Sequence, residues 1–236
     1  MGAEEMRQVD SLENRVFLDA SAVLTDGVLR TLGTEVAERI DVELRVPAGN
    51  TSANAVLDVF HNRKLLGSFL NRQVSEVRAH GLGGDDTLRM PVPIEHIRLD
   101  SFGNSIIETV IPRAKAYVEG GAGKDRIYGT EQSDKLLGGA HADIIYGLGG
   151  SDRLEGGDGD DRLIGGTGRD TVNGGAGLDA FFVPSNGARH LLVTAGGTLG
   201  TEDLIAPEEL QQNYQIIDPS ALPGTIQIQQ VAVPGR

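Results

Sequence analysis

The chain has no cysteine and no tryptophan, few other aromatic residues, and a shortage of basic charge. Without cysteine there are no disulfides, no metal–thiolate sites and no thiol catalysis. Export remains open, because bound ions can staple a chain where disulfides do not. Aromatic residues are 4% of 236, against 33 glycines. Few large side chains and many glycines argue for a stacked solenoid over a thick globular core. There are 21 Lys and Arg against 34 Asp and Glu, a net charge of −13. That balance disfavours nucleic acid and anionic membranes as partners and suits a chain that takes up cations. No stretch approaches the roughly 18 apolar residues of a membrane span. The first twenty residues, MGAEEMRQVDSLENRVFLDA, lack a basic region followed by an apolar one, so no conventional signal peptide is expected. The sequence also has no HExxH, no GxSxG and no Walker loop. His61, His80, His96, His141 and His190 are scattered and read as turn or surface residues. The chain is therefore expected not to be an enzyme.

What is present is a repeat. Gly120 to Phe182 is seven nine-residue units without insertion or deletion: GGAGKDRIY, GTEQSDKLL, GGAHADIIY, GLGGSDRLE, GGDGDDRLI, GGTGRDTVN and GGAGLDAFF. The first position is always Gly. The sixth is always Asp: Asp125, Asp134, Asp143, Asp152, Asp161, Asp170 and Asp179. The eighth is always apolar: Ile127, Leu136, Ile145, Leu154, Leu163, Val172 and Phe181. One apolar residue in nine forms no core by itself, but stacked copies align these residues into a ladder. The three residues around each apolar position suffice for a short strand, and the Gly-rich half must turn the chain. Two turns per coil make alternate units stack. The Asp residues then form two columns, one of Asp125, Asp143, Asp161 and Asp179, the other of Asp134, Asp152 and Asp170. Stacked carboxylates about 4.8 Å apart repel. Oxygen donors in flexible turns suit Ca²⁺ between them. A metal-free solenoid whose Asp residues cap the turns is the alternative.

The block resembles the repeats-in-toxin (haemolysin-type) calcium-binding nonapeptide family, with consensus GGxGxDxUx. The resemblance implies an all-β fold, a right-handed parallel β-roll with Ca²⁺ held between turns of alternate units. Each ion would take the sixth-position Asp of two stacked units and backbone carbonyls of the turn glycines. The matching glycines are Gly121, Gly123, Gly139, Gly157, Gly159, Gly166, Gly168, Gly175 and Gly177. The stacked pairs are Asp125–Asp143, Asp143–Asp161 and Asp161–Asp179 on one edge, and Asp134–Asp152 and Asp152–Asp170 on the other. About five ions is the ceiling for this block. Thr130 and Gln132, His141 and Leu148 replace Gly, which implies strained turns there. Asp161–Asp179 is the firmest expected site and Asp134–Asp152 the weakest.

Around the block the organisation is less regular. Residues 1–26 read as a lead segment, in which Ser11 to Leu18 resembles the short LEPR-xLL segment of large bacterial surface proteins. Residues 27–73 read as an antiparallel meander of about four strands that caps the first coil. Within it, Gly33-Thr34 followed by Glu38 and Ile40 resembles a worn-down repeat, to which no metal is assigned. The roll is expected over 74–182. It includes GLGGDDTLR at 81–89, where Asp86 is a candidate for binding a cation with carbonyls, and a middle coil near 97–107. Ser105 stands there in place of the ligand Asp, and Pro91, Pro93 and Pro112 mark corners. Residues 183–236 read as a mixed cap, with a strand from Leu191, a short helix from Pro207 and a last strand over Thr225 to Val233.

Weak calcium sites fill where Ca²⁺ is about millimolar, outside cells. The resemblance implies an extracellular or cell-surface location reached by type I secretion, for which the C-terminal IQIQQVAVPGR is the candidate signal. The reading is calcium binding coupled to folding. Two alternatives stay open: a calcium module of a larger secreted protease, lipase or polysaccharide-modifying enzyme, and an adhesin or matrix spacer with polysaccharide or a cell surface as partner.

Overall fold

The structure is a computed structural model. It describes residues 21–182 apart from 49, 100 and 178, together with the strand residues 190–193, 204–205 and 214–217. The LEPR-like segment, the helix from Pro207, the last strand and the C-terminal segment lie outside the described residues.

Among the described residues the chain is an all-β parallel β-roll of two nine-stranded sheets, with a separate two-stranded sheet beside them. One sheet carries β1 (Ser21–Thr25), β2 (Val28–Leu32), β6 (Glu76–Gly83), β10 (Lys115–Ala122), β12 (Lys135–Ala140), β14 (Arg153–Asp158), β16 (Thr171–Ala176), β18 (His190–Val193) and β20 (Tyr214–Ile217). The other carries β19 (Leu204–Ile205), β17 (Ala180–Phe182), β15 (Arg162–Ile164), β13 (Ile144–Tyr146), β11 (Arg126–Tyr128), β7 (Thr87–Arg89), β3 (Arg39–Arg45), β4 (Val56–His61) and β5 (Lys64–Leu70). Each nine-residue unit contributes one strand, and successive units alternate between sheets. The repeat register is kept in the pairing: Leu136 lies beside Leu154 and Leu154 beside Val172. Ile127 lies beside Ile145, and Ile145 beside Leu163. This alignment makes the apolar ladder. Ile127, Leu136, Ile145 and Leu163 are completely buried. On the outer face Tyr128 and Tyr146 stack with ring centroids 4.8 Å apart, the spacing of neighbouring coils, and the Arg89 guanidinium lies over Tyr128.

The parallel stack begins earlier than residue 74. β2 pairs in parallel with β6, and β3 in parallel with β7. Residues 28–45 therefore form a coil of the roll, and Gly33 to Glu38 is its turn. The antiparallel meander is confined to β3–β4–β5, while β1 and β2 form an antiparallel hairpin on the other sheet. This end holds the broadest part of the core, with Leu29, Ile40, Val42, Leu57, Val59, Val77 and Leu88 at 1% exposure or less. Beyond Phe182, β18, β19 and β20 continue the stack in parallel.

The middle coil expected near 97–107 is not there. β8 (Ile94–Leu99) and β9 (Ser105–Val110) pair with each other, antiparallel, as a separate hairpin. β10 then lies directly beside β6. Two features make a hairpin of this stretch. Gly103 at its tip has φ +84°, which suits a tight reversal. Ile97 and Ile107 are paired across the hairpin and are 64% exposed, so they add nothing to the inner ladder. Pro91, Pro93 and Pro112 flank the hairpin and do not mark coil corners.

Candidate metal centre

Side chains alternate along a strand, so a unit that buries its eighth position also buries its sixth and the first position of the next unit. The sixth-position acids therefore lie inside the roll. Asp125, Asp143, Asp152, Asp161 and Asp170 are 1% exposed or less, and Asp134 and Asp179 at most 5%. The stacking brings both expected columns together and adds Asp86 above Asp125.

One oxygen of each acid has a fixed task. The backbone N–H of Glu38 donates to Asp86 Oδ1 at 2.9 Å, and that of Asp86 to Asp125 Oδ1 at 2.8 Å. The series continues from Asp125 to Asp143 and from Asp143 to Asp161 at 2.8 Å, and from Asp161 to Asp179 at 3.0 Å. In the second column the Ala116 N–H donates to Asp134 Oδ1 at 2.6 Å, Asp134 to Asp152 at 2.8 Å and Asp152 to Asp170 at 2.9 Å. Turn capping is thus a real part of the arrangement, but at Asp86, Asp125, Asp143, Asp152 and Asp161 it uses only half of the carboxylate.

The other oxygen is left over. Oδ2 of Asp86, Asp125, Asp143, Asp152 and Asp161 is buried and accepts no hydrogen bond. Each lies beside the first-position Gly of its own unit. A Cβ on Gly120 would come within 2.3 Å of Asp125 Oδ2 and 2.6 Å of the Gly138 carbonyl oxygen. On Gly138 it would meet Asp143 Oδ2 at 2.3 Å and the Gly156 oxygen at 2.6 Å; on Gly147, Asp152 Oδ2 at 2.5 Å and the Gly165 oxygen at 2.3 Å. The missing side chain leaves a cradle in which a carboxylate oxygen and a carbonyl from the next coil converge.

A buried carboxylate without a counter-charge is costly, and protonation relieves it. Burial pushes Asp143 and Asp152 up to about 8, with neighbouring column carboxylates adding to the shift. It pushes Asp86 up to about 7 and Asp134 and Asp161 up to about 6, and it raises Asp125. The hydrogen bonds from stacked N–H groups oppose the rise in each case.

The turns explain the second and fourth glycines. Gly121, Gly139, Gly157, Gly166 and Gly175 have φ between +95° and +125°, and Gly123, Gly159, Gly168 and Gly177 between +120° and +142°. Their coils also touch backbone to backbone: a Cβ on Gly139 would lie 2.0 Å from the Gly121 oxygen, and one on Gly157 2.0 Å from the Gly139 oxygen. His141 and Leu148 keep the same turn at φ +81° and +75°, in a region unfavourable for residues with a Cβ. Thr130 and Gln132 do not adopt positive φ.

The fit to a hard cation is good. The donors are all oxygens, the orphaned atoms carry negative charge, and glycine keeps the space beside them clear. The model of the RTX calcium-binding nonapeptide repeat, in four copies, matches residues 119–154 and again 146–181. The block is an array of RTX calcium-binding repeats. No curated protein matches the chain. The RTX match spans the seven strict units and leaves out the early unit at 81–89, although Asp86 stands in register with them.

Three residues of the roll to which the repeat pattern assigns no ligating role meet the acids directly. Thr34 and His61 close on Glu38: the Thr34 N–H donates to Oε1, and the His61 Nε2–H meets Oε2. Thr130 does the same for Asp134, its N–H reaching Oδ2 at 2.5 Å and its hydroxyl Oδ1 at 2.9 Å. The shared Gly-Thr at 33–34 and 129–130 was the available signal. Of the other histidines, His80 Nδ1 lies 3.1 Å from Glu119 Oε2, and His141 Nδ1 hydrogen-bonds the Ala140 carbonyl.

Proposed function

We propose that the chain is a calcium-binding β-roll of an exported or cell-surface protein, and that Ca²⁺ held between stacked turns couples ion binding to folding of the coils. The observation that carries the reading is the row of buried, unpartnered Oδ2 atoms beside glycine-lined cradles. Among the described residues no three His, Asp or Glu side chains converge as a metal-binding group. The proposed ligand set is therefore stacked pairs of column carboxylates with backbone carbonyls of the turns. Bound Ca²⁺ would supply the positive charge that the columns lack and accept several oxygen donors at once. The chain's own part is to hold Oδ1 by the stacked N–H groups, so that Oδ2 stays aimed at the cradle. Stability then rises with ion concentration, because the folded state binds and the unfolded chain does not. Sites made of flexible turns favour Ca²⁺ over Mg²⁺, which demands tighter octahedral geometry. Among the described residues no helix is long and apolar enough to cross a membrane. The proposal gives the roll a binding role and no catalysis.

The test is far-UV circular dichroism of the full chain titrated with Ca²⁺ and separately with Mg²⁺, beside calorimetric counting of ions. A gain of β signal with Ca²⁺ alone, at several ions per chain, is expected, with Asp143→Asn binding at least one ion fewer. A spectrum indifferent to millimolar Ca²⁺, with no heat of binding, overturns the reading.

A further inference from the structure

The acid columns do not end alike at their two ends. Glu38 heads one column and Asp134 heads the other. On the second edge no sixth-position acid precedes Asp134: in the coil above, the place 18 residues earlier is taken by Ala116, whose backbone N–H donates to Asp134 Oδ1. Both leading acids follow a Gly-Thr pair.

The threonine changes the turn. Every other second-position residue has positive φ: Leu82 (+78°), Gly121 (+113°), Gly139 (+125°), Leu148 (+75°), Gly157 (+117°), Gly166 (+95°) and Gly175 (+107°). Thr34 and Thr130 do not. A β-branched residue is strongly disfavoured at positive φ, so the turn takes another form. In that form the backbone N–H of the threonine points at the acid four residues on. Oδ2 of Asp134 accepts from Thr130 N–H at 2.5 Å, and Oδ1 from the Thr130 hydroxyl at 2.9 Å and from Ala116 N–H at 2.6 Å. Glu38 has Thr34 N–H on Oε1, and the Thr34 hydroxyl at 3.3 Å with the His61 ring on Oε2. Where the second residue has positive φ, as above Asp86, Asp125, Asp143, Asp152 and Asp161, Oδ2 is orphaned.

The direction of each acid decides which interval this closes. Asp134 Oδ2 lies beside Gly129 and the Gly147 carbonyl, and so faces the interval between Asp134 and Asp152. Glu38 Oε1 lies beside Gly33 and the Gly81 carbonyl, facing the interval between Glu38 and Asp86. Asp86 Oδ2 lies beside Gly81 and the Gly120 carbonyl, facing the interval between Asp86 and Asp125.

We propose that threonine takes the place of a cation at the head of each column, so that the Glu38–Asp86 and Asp134–Asp152 intervals are ion-free and the first ion of the long column lies between Asp86 and Asp125. This rests on the calcium reading above and changes its map. The interval headed by Asp134 leaves the set of sites, and one outside the RTX match, headed by Asp86, joins it. The N-terminal coil, closed by Thr34, His61 and the broad apolar core, then holds without ions, and the coils below it are the ones that respond to Ca²⁺.

Calorimetric ion counts on the full chain, with circular dichroism in Ca²⁺ as the check of folding, test this. Asp134→Asn is expected to bind as many ions as wild type with an unchanged midpoint, and Asp152→Asn at least one fewer. The double variant T130G/Q132G, which restores a Gly turn above Asp134, is expected to gain one ion per chain. Loss of an ion in Asp134→Asn, or a wild-type count in a folded T130G/Q132G, overturns the assignment while leaving calcium binding intact. If T130G/Q132G does not fold, Asp134→Asn decides. A wild-type chain that binds no Ca²⁺ overturns both readings.

Discussion

The backbone N–H of Asp125 donates to Oδ1 of Asp143, 18 residues further on, at 2.8 Å. One contact thereby ties two coils together, buries a charge and leaves Asp143 Oδ2 without a donor. The column is a device that needs either a proton or a cation to be neutral.

That need sets a pH dependence. The folded-state values of Asp143 and Asp152, near 8, and of Asp86, near 7, stand far above an ordinary Asp. Groups raised on folding add stability that is complete below the unfolded value, about 4, and is lost as pH rises through the folded values. The metal-free roll is therefore expected to melt at a lower temperature at pH 8.5 than at pH 5. Saturating Ca²⁺ replaces the protons and restores the melting temperature at pH 8.5, and binding at pH 7 releases protons. Melts in chelator and in Ca²⁺ across this range check it; a chelated protein more stable at pH 8.5 than at pH 5 contradicts it.

The apolar ladder acts independently of the ions. Leu136 is completely buried, between Val118 and Leu154 in the sheet register. Leu136→Ala is expected to cost about 2–5 kcal/mol, since the stacked coils cannot collapse into the gap. The loss, read as a shift of the denaturation midpoint, should be similar whether the comparison is made in Ca²⁺ or in chelator at pH 5. A loss that Ca²⁺ abolishes would mean that the ladder is not what holds the coils together.

Two glycines with positive φ are expected to differ sharply. Gly103 has φ +84° with nothing within 4 Å of a Cβ, so Gly103→Ala carries only the backbone strain, about 1–2 kcal/mol. Gly139 has φ +125°, and its Cβ would fall 2.0 Å from the Gly121 oxygen. Gly139→Ala must also push two coils apart, and should lower stability by more than Gly103→Ala and weaken Ca²⁺ binding, which Gly103→Ala leaves unchanged. Equal effects of the two, measured by melts and calorimetry, would argue against close coil stacking at the turns.

Legibility followed the repeat. The period of nine, the two Asp columns and the ladder from Ile127 to Val172 were all readable, because each coil repeats the one before and stacks on its neighbour. Leu148 and His141 were readable as strained turns, and both have positive φ. Thr130 read the same way, but a β-branched residue changes the turn where Leu and His tolerate the strained one, and the outcome is a closed carboxylate. Ile97 to Ile107 read as a middle coil of the roll. Apolar spacing there could not distinguish inward residues from the exposed faces of a hairpin.

By itself the sequence determined the solenoid, its two-sheet alternation and its two columns of sixth-position acids, since these follow from local periodicity. Only the tertiary structure decided where the stack begins and how its columns end. β2 reaches β6, and Glu38 reaches Asp86, across 48 residues. His61 comes to Glu38 only because β4 folds back on β3. These are contacts between distant segments with no shared period. At Glu38, the first acid of its column, donors from Thr34 and His61 do what a stacked backbone N–H does for the acids below it, and they must be brought there by the fold.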